Sequence, residues 1–199
     1  MNFKRARNDD QVELRRQEIL NACKKLLMEN GYEDTTLLAI SKLISVGRTT
    51  IYNYYSTKED LFMELCTIEI ETLIKELNDL FDHADKNNKD EEFKKILMTI
   101  FLKYKYLFEY YSMYIAKVLG KANKEVTDAF QERVTVPFKD FYKKLLLFIN
   151  PNLTHDDIVS FNYVLWVFFI GINTLTYNKT LYEKTCEHFV DSTLALLKK

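Results

Sequence analysis

The stretch GRTTIYNYYSTKEDL, Gly47 to Leu61, decides the fold. It follows directly on a short apolar-periodic segment, Thr36 to Ile44, and this order predicts the second helix of a helix-turn-helix. That helix is short and rich in hydroxyl groups, with Arg48 near its start and Lys58 beyond its end. Such side chains reach base edges and phosphate oxygens, as a helix lying in a major groove must. Taken alone, the run also fits a solvated polar turn between two core helices; its surroundings argue against that.

Upstream, Asp9 and Asp10 are good N-caps. Val12, Ile19, Leu20, Cys23, Leu26 and Leu27 then recur at helical spacing until Asn30-Gly31 stops the helix. A second helix starts at Thr35-Thr36 and buries Leu37, Ile40 and Leu43 or Ile44. Ser45-Val46-Gly47 forms the turn, and the recognition helix runs from about Gly47 to Tyr54. Ser56 or Thr57 caps a long fourth helix that ends at the polar run Asp85 to Glu92. Downstream, amphipathic helices are expected over Phe93 to Phe108, Tyr110 to Leu119, Asn123 to Ile149 with a kink at Pro137, His155 to Asn178, and Thr180 to Lys198. Thr154 with Asp157 three residues on forms an N-capping pair. The expected architecture is all-α, about nine helices. A three-helix domain over residues 1–56 is joined to a helical bundle over 57–199.

Composition supports this. Four glycines and two prolines in 199 residues are too few for the turns of a β-sandwich or barrel. Net charge is −1, so no general affinity for polyanions follows. Residues 1–62 hold ten Lys and Arg against nine Asp and Glu, a net of +1, so DNA binding would depend on where the charges lie. The three cysteines are far apart and show no zinc or redox spacing, which predicts reduced thiols in a cytoplasmic protein. The histidines show no metal-ligand pairing, no signal peptide is evident, and no apolar run is long enough to span a bilayer. No metal or cofactor is expected, and no catalytic residues: there is no Gly-rich phosphate loop, nucleophile elbow or Ser/His/Asp cluster.

With the helix-turn-helix placed, the N-terminal 60 residues resemble the TetR family of bacterial one-component transcription regulators. The matching features are Gly31-Tyr32 before Thr35-Thr36, then Ile40-Ser41, Val46, Thr50-Ile51-Tyr52, Tyr54-Tyr55 and Lys58-Glu59-Asp60-Leu61. The resemblance implies an Ω-shaped homodimer whose C-terminal bundle dimerises and senses a ligand. It also implies roles on DNA. Arg48 would bridge guanine O6 and N7, while Thr49 and Asn53 would touch base edges or a thymine methyl. Thr36, Thr50, Tyr52, Tyr54 and Lys58 would clamp phosphates, with Gly47 at the recognition-helix N-terminus, and Ile40, Val46, Ile51 and Leu61 would hold the motif together. Three positions depart from the family pattern. Ser45 stands where glycine is usual, at a positive φ costing about 1 kcal/mol. Gly47 replaces a common serine, and Thr49 a common glycine on the DNA side.

A ligand pocket needs apolar walls with a few placed polar groups. Tyr104, Phe108, Tyr111, Phe138 and Tyr142 offer walls, and Asn162, Trp166 and Asn173 share one face of the helix from His155. An aromatic or amphipathic small molecule is the expected guest, although each of these residues also fits a plain core. The opposite face, Val164, Val167, Gly171 and Leu175, together with Phe189 and Val190, reads as a four-helix dimer interface. The leading expectation is therefore a dimeric repressor released from a pseudo-palindromic double-stranded operator by an effector, without membrane association. The alternatives are a regulator on the same scaffold with no small ligand (an activator or nucleoid-associated factor) and, in another class, a protein-interaction module.

Overall fold

The computed structural model describes residues 9–105, 107, 118, 120–175 and 178–199. Every element among them is helical: α1 (Asp9–Asp34), α2 (Leu37–Leu43), α3 (Arg48–Tyr52), α4 (Lys58–Asp82), α5 (Lys89–Lys103), α6 (Lys124–Phe130), a π-helical turn (Gln131–Thr135), α7 (Val136–Ile149), α8 (His155–Ile172), a 3-10 turn (Asn173–Leu175) and α9 (Lys179–Leu197). The helix expected over Tyr110 to Leu119 lies outside the described residues, save Val118. The chain divides into two compact units. The first comprises Met1–Thr67 and Ala116–Ala129, the second Ile68–Ile115 and Phe130–Lys199. The division falls inside α4, after the residue-56 boundary read from the sequence.

In the first unit, α1 does not simply stop at Gly31. It breaks there, at φ 77 and ψ 177, and one further turn carries the chain to Asp34. A left-handed φ of this kind suits glycine, which has no Cβ to strain. Thr35 Oγ1 donates to the Gly31 carbonyl at 2.8 Å and holds the corner. The core gathers Ile19, Leu20, Cys23 and Leu27 of α1, Leu37 and Ile40 of α2, Ile51 of α3 and Leu61, Phe62 and Leu65 of α4. Val12, expected on the buried stripe, is instead 42% exposed. Tyr32 is buried edge-on to Phe62, with ring centroids 4.8 Å apart.

In the second unit, Pro137 is the second residue of α7, directly after the π turn, where the sequence predicted a kink inside one α-helix. All the flanking backbone is right-handed helical, and the Val136 N–H bonds Gln131 O, five residues back. Proline cannot donate, and its ring crowds the carbonyl four residues earlier; the wider π turn relieves that contact. α8 ends at Ile172, so Leu175 stands in the 3-10 turn and not on the helix expected to reach Asn178. Asn178 N-caps α9 by accepting from the Leu181 N–H at 3.0 Å. The Thr154–Asp157 pair caps α8 as expected: Thr154 N donates to Asp157 Oδ2 at 2.9 Å and Asp157 N to Thr154 Oγ1 at 3.2 Å. Phe101 centres the core, meeting Phe168, Phe169 and Phe189 at 5.1, 5.3 and 5.8 Å.

Candidate DNA-binding face and effector core

Backbone capping builds the candidate DNA-binding face. Thr36 sits in an extended conformation and its hydroxyl accepts from the Ala39 N–H at 3.0 Å, starting α2. The end of α2 is a Schellman motif. Ser45 N donates to Lys42 O at 3.3 Å and Val46 N to Ser41 O at 3.0 Å. Ser45 occupies the left-handed position at φ 54, as the sequence departure implied. Gly47 then N-caps α3 without a side-chain bond, its carbonyl accepting from Thr50 N at 2.9 Å.

The five-residue α3 points Ile51 fully into the core, and that anchor exposes Arg48, Thr49, Tyr52 and Asn53 together. Thr50 and Tyr54 are half-buried. Arg48 Nη2 donates to Tyr52 Oη at 2.8 Å, and its guanidinium lies 5.3 Å from the ring centroid. The pair thus holds the guanidinium extended along the exposed helix face.

Thr57, rather than Ser56, starts α4. Asp60 N donates to Thr57 Oγ1 at 3.0 Å while Thr57 N donates to Asp60 Oδ2 at 3.2 Å. A groove of about 430 Å³ runs between the two capped helix starts, lined by Thr36, Leu37, Leu38, Arg48, Tyr52, Ser56, Thr57, Lys58 and Glu59. It brings four of the expected DNA contacts, Thr36, Arg48, Tyr52 and Lys58, into one concavity. Thr49, Thr50, Asn53 and Tyr54 lie outside it.

Lys58 differs from expectation. Its ammonium turns back onto the end of α1, donating to Tyr32 O and, at 3.4 Å, to Glu33 O, and it lies 3.8 Å from the Tyr32 ring centroid. Partial burial lowers its pKa despite the nearby Glu33 and Glu59. A lysine stem is long enough to choose between an outward phosphate and orphan helix-end carbonyls, and here it takes the carbonyls.

Sequence reading also missed Asp60. This carboxylate is 3% exposed and accepts from Asn123 N at 2.8 Å and Asn123 Nδ2 at 2.6 Å as well as from Thr57. One side chain therefore caps α4 and holds the chain just before α6. Ser56-Thr57 announced the cap, but no local signal announces a partner 63 residues away.

In the second unit the expected effector residues separate. Phe138 and Trp166 come together at 6.4 Å, and Phe169, not anticipated, lies 6.5 and 6.2 Å from them. Tyr142 follows one turn after Phe138 on α7 and is 1% exposed. Tyr104 is engaged elsewhere: its hydroxyl donates to Glu76 Oε2 at 2.5 Å, and Lys103 donates to the same carboxylate at 2.6 Å. Those bonds, that from Lys103 foremost, hold the Glu76 carboxyl below its ordinary range. Burial pushes the Tyr104 phenol up to about 12. The Asn162 amide donates to Ile158 O at 2.8 Å, back into its own helix. Phe108, Tyr111 and the side chain of Asn173 lie outside the described residues.

The expected dimer face is corrected on one helix and extended on the other. Val164 and Val167 are 53% and 69% exposed, and Tyr163 and Ile170 join them on α8. A side chain at Gly171 would meet nothing within 4 Å among the described residues, so no close approach among them demands that glycine. Val190, however, is 1% exposed and belongs to the core. Phe189 is half-buried and stacks on Phe168 at 3.8 Å. Both sit on the inner face of α9, because helical spacing alone does not say which apolar face turns inward; Leu181 and Leu196 are its exposed apolar residues. Among the described residues, no three His, Cys, Asp or Glu side chains gather as a metal site, and no helix is long and apolar enough to cross a membrane.

Residues 19–65, which contain all of α2 and α3 and most of the capping just described, match the model of the tetR family of bacterial regulatory proteins. It is this N-terminal region, about a quarter of the chain, that is similar to the TetR family. The chain is 40% identical over 70 residues to the helix-turn-helix transcriptional regulator YhgD of Bacillus subtilis, a stretch covering 35% of each chain. It is 24% identical over 90 residues to the transcriptional repressor AcnR of Corynebacterium diphtheriae, covering 41% of this chain and 47% of that one. The chain thus spans less than half the length of these relatives. Its fold is similar to that of the transcriptional regulator FadR from Bacillus subtilis in complex with stearoyl-CoA, with a TM-score of 0.62, 17% identity, and coverage of 92% of this chain and 97% of that one.

Proposed function

We propose that this protein is a TetR-family homodimeric transcription repressor that binds a pseudo-palindromic DNA operator and leaves it when a small molecule occupies its second unit. The observation that carries the reading is α3. Ile51 anchors it inward, and Arg48, Thr49, Tyr52 and Asn53 face outward beside a groove flanked by the capped starts of α2 and α4. Phosphate oxygens entering that groove would meet the Thr36 and Thr57 helix starts, which favour anions, while Arg48 reaches guanine O6 and N7 in the adjacent major groove. Two copies are needed to read two half-sites. The apolar stripe Tyr163, Val164, Val167 and Ile170 on α8 supports pairing with a second copy. The aromatic cluster Phe138, Trp166 and Phe169 supports an amphipathic or aromatic effector, and stearoyl-CoA on FadR is an amphipathic example at the level of a shared fold. Repression follows the example of AcnR. An effector that fits only one arrangement of the dimer shifts the population away from the DNA-bound form.

Genome-wide mapping of bound sites tests this. Recovered sites should share an inverted repeat, and Arg48→Ala should weaken binding by about 1–3 kcal/mol and relax one base position per half-site. Recovery of sites without a common repeat, or an Arg48→Ala protein with undiminished preference, would remove α3 as the reader.

A further inference from the structure

The second unit holds a polar group with no partner. The Tyr142 hydroxyl is buried and makes no hydrogen bond, whereas the buried Tyr182 hydroxyl donates to Phe101 O at 2.9 Å and Tyr104 to Glu76. Tyr55 is the other buried hydroxyl among the described residues without a bond of good geometry, but it lies beside the Arg16–Glu64 ion pair. Tyr142 has no such neighbour among the described residues. Burial raises its pKa, and none of their charged or hydrogen-bonding groups contributes. Leaving a buried hydroxyl unbonded is destabilising, and phenylalanine would fill the same volume without that cost.

Its place in the fold gives the hydroxyl a use. Tyr142 follows Phe138 by one turn on the inner face of α7, and Phe138 meets the half-buried Trp166 and the buried Phe169 of α8. Resting on the reading above that this unit takes an effector, we infer that the Tyr142 hydroxyl is the hydrogen-bond donor that selects it, and that the end of the effector buried there is uncharged and mainly apolar, with an acceptor such as a ketone or ester carbonyl. An aromatic cluster alone ranks guests by size. A single buried donor ranks them by chemistry, because a guest without an acceptor leaves the hydroxyl as unsatisfied as before. A carboxylate is disfavoured at this end. No cation among the described residues acts on Tyr142, and one neutral hydrogen bond does not offset the burial of a charge. The phenol stays protonated at every physiological pH, since burial raises its pKa, so it remains a donor.

A matched pair of probes, 1-indanone and indane, tests the inference on the full chain by isothermal titration and thermal shift. The two share a ring system and differ in one carbonyl. Wild type should bind indanone at least tenfold more tightly than indane, and Tyr142→Phe should bring the two to within about twofold. Without probe, Tyr142→Phe should raise the unfolding midpoint, because it removes the unbonded hydroxyl. A lowered midpoint would mean that the hydroxyl has a structural partner and would overturn the inference. Equal affinity of wild type for both probes would also overturn it while leaving the effector core intact. If neither probe binds up to millimolar concentration, the inference fails together with the reading of this cluster as a binding site. The wild-type comparison stands even if the variant does not fold.

Discussion

The helix-turn-helix and the aromatic bundle solve opposite problems with side chains of similar kind. In the first unit polar groups are placed by the backbone. Thr36, Thr57 and Asp60 cap helix starts, and the Schellman turn at Ser45 sets the angle at which α3 leaves α2. Each bond spans three to five residues, so the face is assembled locally, and five residues of α3 suffice because Ile51 anchors them. In the second unit the long helices are positioned by rings meeting across the chain, as where Phe101 packs on Phe168, Phe169 and Phe189. Buried polar groups are few among the described residues there, and where a partner is missing, as at Tyr142, packing does not supply one. The comparison teaches that the DNA-facing surface is specified by short-range capping, and the core that would respond to a ligand by long-range volume.

The contrast breaks most visibly at its two apolar extremes. Ile51 is fully buried, so Ile51→Ala should cost about 2–5 kcal/mol in urea unfolding followed by circular dichroism. A loss below 1 kcal/mol would show that α3 is not held by its core residue. At the other extreme, Val167 is 69% exposed. Val167→Asp should leave the unfolding of the single chain within about 0.5 kcal/mol but weaken dimerisation by about 2–4 kcal/mol in sedimentation, since it buries an unpaired carboxylate between copies. Unchanged dimerisation would move the interface off this face of α8.

A finer test separates the two basic residues of the groove. Arg48 faces outward, whereas Lys58 bonds the end of α1. Lys58→Ala should therefore lower stability by about 1 kcal/mol while leaving the slope of log K against log salt for DNA unchanged. A slope smaller by about one unit would instead show that the lysine leaves Tyr32 for a phosphate when DNA arrives. The smallest effect concerns the turn. Ser45 holds a left-handed φ of 54, so Ser45→Gly should stabilise the first unit by about 1 kcal/mol without altering operator preference. Destabilisation would mean that the serine side chain contributes more than its backbone strain costs.

Much of the molecule was legible because its signals are local. The all-helical class followed from few glycines and prolines and from apolar spacing, and the helix-turn-helix from Thr36, Ser45 and Gly47 at cap and turn positions. The groove's Thr36, Arg48 and Tyr52 were legible for the same reason: on a helix that short, inward Ile51 settles which residues face out. Proline at 137 announced a disturbance, though not that a π turn would absorb it.

By itself, then, the sequence determined the helices, the capped turn and the outward face of α3, because hydrogen bonds over three to five residues and a 3.6-residue period are written in neighbouring side chains. Only the tertiary structure decided which way Lys58 folds, that Asp60 reaches Asn123, that Val190 lies inside while Val167 lies outside, and that Tyr142 is buried without a partner. Those outcomes depend on which surfaces meet across 25 to 80 residues of chain, where a flexible side chain or an apolar stripe has several acceptable neighbours and only packing selects one.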